Sequence, residues 1–173
     1  MIKPILFSVA MFASVNSFAA PNQIDVIGLV PDVSTSTDVA QAKKGQYGTF
    51  VIGGSELICV PDYIDDKLSD LYCQLSSITR VQPLSNHQLY EILKTGFTSK
   101  FGAPTSTNST PVTNLMGATL QKKTVGWKDK KGNELTITNI DSRLDKGSLI
   151  LKSVAQKAKE KAEAEETNKS VKF

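Results

Sequence analysis

Two cysteines, one histidine, a cluster of aspartates and a tryptophan among lysines are the residues whose types and spacing suggest chemistry in this chain. A thiol redox pair is normally C-x-x-C at a helix start, where one thiol is held at a low pKa. Cys59 and Cys73 are far apart and sit in β-like runs, so they point to a structural disulfide. His87 cannot build a histidine-rich metal site alone. As a base it needs an oriented nucleophile, and no G-x-S-x-G elbow is present. It reads as a surface residue beside a helix cap. Asp62, Asp65, Asp66 and Asp70 lack the alternating oxygen ligands and central glycine of a calcium loop, and read as a solvated turn between Pro61 and Asp70. Glu56, Glu91 and Glu134 are scattered and form no glycosidase-type pair. Gly53-Gly54 lacks the helix and lysine of a phosphate loop. The expectation is therefore no catalytic residue, no cofactor and no metal.

One surface-type constellation stands out. Trp127 lies near Lys122, Lys123, Lys128, Lys130 and Lys131. An aromatic at a strand end beside a basic turn can dock an acidic partner or a glycan. Trp127, Lys128, Lys130 and Lys131 are the candidate partner contacts on that reading. On the other reading, Trp127 is a core anchor and the lysines solvate a hairpin tip.

The elements that must position these residues follow from periodicity. Phe50–Val60 and Leu71–Ser76 are strand-like and carry one cysteine each. Strand side chains alternate faces. A hairpin register that sets Cys59 opposite Cys73 also sets Val60 opposite Tyr72 and Leu57 opposite Leu75. Opposed residues of an antiparallel pair lie close enough to be bridged. Gly53-Gly54 suggests a bulge or a close backbone approach.

Ile24–Val30 reads as a short strand or extended entry segment closed by Pro31. Thr35-Ser36-Thr37-Asp38 is a helix-start pattern, with Gly45 as the stop. Ser85 and Gln88 make a second capping box, with Leu84 and Leu89 as a hydrophobic staple. Leu89, Ile92, Leu93, Phe97 and Phe101 form the expected apolar face of that helix, Gly102 and Pro104 end it, and Gly96 suggests close approach to a strand. Thr105–Val112 reads as a polar loop. Ala118–Trp127, Glu134–Ile140 and Ser148–Ser153 read as an antiparallel meander whose inward residues are Val125, Trp127, Leu135, Ile137, Leu149 and Leu151. Residues 154–173 read as a charged, solvated helix or tail.

Met1–Ala19 has a basic start, an apolar stretch and small residues before a cleavage point after Ala19, the form of a secretory signal peptide. The apolar stretch is too short to span a bilayer, and no second one follows. The expected location is the periplasm, or alternatively outside the cell, which suits a disulfide. Residues 20–153 are expected to be a single α+β domain, an antiparallel sheet with helices packed on one face and one disulfide-stapled hairpin. Between Ala20 and Leu151 thirteen basic and thirteen acidic residues balance. The sequence pI of about 8.8 thus reflects the signal and tail, and gives no reason to expect nucleic-acid binding.

The order of elements, with Thr35-Ser36-Thr37-Asp38-Val39, Phe101-Gly102-Ala103-Pro104 and the strand ending in Trp127, resembles small envelope domains of Gram-negative bacteria and phages. These are of the β-lactamase-inhibitor-protein or outer-membrane-assembly small-lipoprotein type. The Gly-Met usual before their first helix is replaced here by Val33-Ser34, and no lipoprotein cysteine is present. The resemblance implies a binding or assembly role without catalysis. The expected function is an exported, non-enzymatic protein that binds a protein or envelope component. The alternatives are an inhibitor or phage- or island-encoded exclusion factor acting on an exported enzyme or receptor, and a hydrolase without a recognisable motif.

Overall fold

A computed structural model describes residues 20–45, 48–76, 84–113, 117–141 and 146–170; the signal-peptide reading of residues 1–19 lies outside them. Helix α1 spans Ser36–Ala42, followed by strands β1 (Phe50–Ile52), β2 (Ser55–Leu57), β3 (Cys59–Ile64) and β4 (Lys67–Leu75). Helix α2 spans Asn86–Phe101. Strands β5 (Ser106–Thr113), β6 (Thr119–Lys128), β7 (Glu134–Asp141) and β8 (Lys146–Lys152) precede helix α3 (Val154–Ser170). The fold is α+β. Its main sheet is antiparallel in the order β3-β4-β8-β7-β6-β5.

The stapled hairpin has the expected register, with Cys59 opposite Cys73 and Val60 opposite Tyr72, and the cysteines are bonded. Gln74 N–H donates to Ile58 O, which makes Cys59 and Cys73 a pair without mutual backbone hydrogen bonds, the closer kind. The expected Leu57–Leu75 pairing is not formed, because the first run is broken into three strands. Gly53 and Gly54, with φ of +60° and +77°, make a two-residue turn that pairs β1 with β2 and places Leu57 opposite Phe50. A Cβ on Gly53 would stand 2.9 Å from Leu93 Cδ2, so the close approach expected there exists as well. The acidic stretch is also mostly strand. Asp65 and Asp66, at φ +49° and +57°, form the turn of the β3–β4 hairpin, and of the four aspartates only these two lie outside its ladder.

One face of the main sheet carries Leu71, Cys73, Leu75, Val125, Trp127, Leu135, Ile137, Leu149 and Leu151, all buried. Helix α2 packs there. Ser85 and Gln88 form the capping box, and Leu84 packs against the core that contains Leu89. The buried side of α2 is Leu89, Tyr90, Leu93, Phe97 and Phe101. Tyr90 replaces Ile92, which is 42% exposed. Gly96 approaches no strand, since a Cβ there would meet nothing within 4 Å. Helix α1 has the expected Thr35–Asp38 box but ends at Ala42, before Gly45. The segment Ile24–Val30 is neither a strand nor extended throughout. Val26 and Leu29 exchange backbone hydrogen bonds around a turn at Ile27-Gly28.

The stretch expected as a polar loop, Thr105–Val112, is largely strand β5. Its side chains are almost all exposed, so it has no apolar alternation to read, and its order comes from backbone pairing with β6. From Lys123 back towards its start, β6 has lost β7 as a ladder partner. There the Asn139 side chain acts as a peptide group. Its Oδ1 accepts from Lys123 N–H at 2.6 Å and its Nδ2 donates to Gln121 O at 3.0 Å.

Helix α3 is fastened mainly by charge. Lys152 lies 2.8 Å from Glu160 and 4.0 Å from Asp70, and Lys157 lies 3.0 Å from Glu134. The Lys152 hydrogen bond lowers the Glu160 pKa. Burial acts to raise that of Glu134, but Lys157 and Lys128 together bring it below the usual value. Asp70 is shifted upward, chiefly by burial. From Ala158 onward the described side chains of α3 are exposed.

Candidate functional site

The expected Trp127–lysine constellation does not assemble as a surface. Trp127 is 1% exposed and has no surface to offer a partner. Its ring meets Phe97 edge-on at 5.8 Å, and Nε1 donates to Gly102 O at 3.0 Å, at the end of α2. The strand parity that turns Val125 inward turns Trp127 inward too. Lys128, Lys130 and Lys131 are exposed at the β6–β7 turn. Lys128 lies 3.4 Å from Glu134. Lys122 and Lys123 lie in the middle of β6, roughly 17–20 Å from Lys128 at strand rise. His87 is exposed in the first turn of α2. Among the described residues no group of three or more His, Cys, Asp or Glu side chains could hold a metal ion.

The turn itself is built on a residue that sequence reasoning missed. Asp129 is 3% exposed. Its carboxylate accepts from Ile24 N–H, Asn133 N–H and Asn133 Nδ2 at 3.2, 2.9 and 3.1 Å. Asn133 Oδ1 in turn accepts from Val154 N–H at 3.2 Å. One buried carboxylate therefore ties the N-terminal segment to the meander, and through Asn133 to the start of α3. The signal available was Asp129 four residues before Asn133 in a turn, a side-chain-to-backbone pattern common to many loops. Asp129→Ala strands buried donors and is expected to cost about 2 kcal/mol in urea unfolding. Lys130→Ala, one residue away and exposed, is expected to change stability by less than about 0.5 kcal/mol.

The surface feature with the strongest claim to a partner lies between the N-terminal turn, α1, the β1–β2 hairpin and α2. A groove of about 630 Å³ is lined by Ile27, Leu29, Val33, Ala42 and Val51 among others. It adjoins, at Ile27, a second hollow of about 270 Å³ lined by Ile52, Gly53, Ile92, Gly96 and Phe97. Of the eight large apolar side chains exposed among the described residues, Ile27, Val33, Val51 and Ile92 lie here. Gly96 keeps the second hollow open because it puts no side chain into it.

The walls are held by specific bonds. Lys100 Nζ reaches Asp25 Oδ1 at 2.6 Å, clamping the N-terminal turn to α2. Asp25 Oδ1 also accepts from Gly28 N–H at 3.1 Å. Asp32 N–H donates to Leu68 O, and Leu68 N–H donates to Ser34 O, which stitches the chain before α1 to β4. At the turn tip, shared by both hollows, Ile27 has φ +52°. A β-branched residue in the left-handed region costs about 1–3 kcal/mol. That conformation places an apolar side chain, 37% exposed, where the two hollows meet.

No family model matches the chain, and neither a curated protein nor a solved structure does.

Proposed function

We propose that this chain is an exported, non-enzymatic interaction protein, and that it binds a protein or cell-envelope component through the groove around Ile27. The observation that carries the reading is the gathering of Ile27, Val33, Val51 and Ile92, exposed, around two adjoining hollows. Contiguous exposed apolar surface marks interaction sites more often than scattered apolar residues do. The signal-peptide form of residues 1–19 supports export to the periplasm or beyond, and the disulfide agrees with an oxidising compartment.

Gly96→Leu separates binding from stability. A Cβ at position 96 meets nothing within 4 Å, and the hollow that Gly96 lines is the space the leucine is meant to occupy. The substitution also removes a helix-weakening glycine, which raises stability by roughly 0.5–1 kcal/mol. The expected result is a higher thermal midpoint together with at least about a ten-fold drop in the partner photo-crosslinked from envelope extract, equivalent to about 1.4 kcal/mol. The charge reversal Lys130→Glu with Lys131→Glu leaves capture unchanged. Equal capture by the wild type and Gly96→Leu, with loss in the charge reversal, moves the site to the basic turn and ends the groove reading.

A further inference from the structure

Strand β5 closes one edge of the six-stranded sheet. The direction of its backbone groups follows from its neighbour. On β6, Lys123 N–H and Gln121 O are taken by the Asn139 side chain, on the β7 side. Backbone groups of successive strand residues point to opposite sides. Leu120, Lys122, Thr124 and Gly126 therefore face β5, and Gly126 O does accept from Thr105 N–H. Their partners on β5 are Val112, Thr110, Asn108 and Ser106. The remaining residues, Thr107, Ser109, Pro111 and Thr113, direct their backbone groups to the outer edge, where no described strand pairs with them.

That edge is a pairing template of unusual composition. Ser106–Thr113 (STNSTPVT) carries no charge, although charge on edge strands is a common guard against pairing. Pro111 removes one donor and leaves its carbonyl. Strand β3, at the other edge, carries Asp62, which opposes Asp70 across its ladder.

We propose that β5 pairs antiparallel with β5 of a second copy of this chain about a two-fold axis at Thr110, joining two sheets into one. In this register Thr107 and Thr113 of opposite copies exchange both backbone hydrogen bonds. Ser109 N–H donates to Pro111 O of the other copy, and the missing proline donor, one in each copy, is the only loss. Thr110 meets Thr110 on the axis, a favourable cross-strand pair. A foreign strand is the poorer occupant, because added strands gain specificity from side-chain pockets and β5 is exposed on both faces. Self-pairing takes its specificity from symmetry, and an uncharged strand brings no like charges together. This pairing uses none of the groove residues.

The test uses the exported chain, residues 20–173, with its disulfide intact. Sedimentation equilibrium is expected to show a concentration-dependent dimer. Thr110→Cys is expected to give a disulfide-linked dimer on mild oxidation. Thr113→Cys, whose two copies would lie roughly 20 Å apart along the strands, gives none. Ser109→Pro removes an outward donor and spares the bonds to β6, so it abolishes the dimer while the thermal midpoint of the monomer stays within a few degrees of wild type. Thr110→Lys, which sets two lysines against each other on the axis, weakens the dimer most at low salt and covers the case in which Ser109→Pro misfolds. A chain that stays monomeric at every concentration, a dimer indifferent to both variants, or cross-linking as efficient at Thr113 as at Thr110 overturns the proposal.

Discussion

Trp127→Ala is expected to lower the unfolding free energy by about 3–5 kcal/mol, the largest effect of any single side chain considered for this protein. The indole is 1% exposed and fills the space between β6 and the end of α2. It touches Phe97, which stacks in turn on Phe101 at 5.8 Å. Removing it opens a cavity and takes the indole N–H away from Gly102 O. That carbonyl belongs to the residue that ends α2, with φ +84°. Trp127→Phe separates the two contributions. It keeps most of the apolar volume and loses the Nε1 hydrogen bond, for an expected cost of about 1–2 kcal/mol. Urea unfolding of both variants checks the order. A Trp127→Ala protein with wild-type stability would show that the ring is not an anchor, and would reopen its role as a partner contact.

Replacing both cysteines, Cys59→Ala with Cys73→Ala, is expected to cost about 3 kcal/mol under oxidising conditions. In a chain of this size that lowers the thermal midpoint by roughly 10 °C. The bridge links positions 14 apart and constrains the unfolded chain. Cys73 is fully buried beside Leu71 and Leu75, so alanine, a small apolar residue, is the substitution that adds least damage of its own. Reductant should bring the wild type down to the variant and leave the variant unmoved. Neither cysteine lines the groove, so capture of the groove's partner at low temperature should be the same with and without the bridge. Wild type and variant of equal stability in oxidising buffer would remove the bridge as a staple. Lost capture in a folded variant would place the binding site on the hairpin.

Much of the local structure was legible because it depends on neighbours in sequence. Thr35 with Asp38 and Ser85 with Gln88 specify helix starts through side chains within one turn. The alternation of Val125, Trp127, Leu135, Ile137, Leu149 and Leu151 set the inward face of the meander. Cysteine parity set the register of the hairpin. Where reading failed, the missing information was non-local. Strand β5 has no apolar face, so only the presence of β6 makes it a strand. Tyr90 and Ile92 are both apolar enough to be buried. Which one is covered depends on how α2 is rolled against the sheet. Gly53-Gly54 and Asp65-Asp66 each allow a bulge, a loop or a tight turn, and the paired strands select the turn.

The sequence alone determined the α+β class, the helix caps, the inward residues of the meander, and the pairing of Cys59 with Cys73. Those features rest on periodicity and on short-range geometry, which the order of residues already contains. Tertiary structure alone decided that β8 lies between β4 and β7, that Trp127 is buried against the end of α2, and that Asp129 is a buried hub. It also decided that Ile27, Val33, Val51 and Ile92, from four separate segments, gather around two adjoining hollows. None of them follows a shared period, and their proximity comes from the packing of elements far apart in the chain.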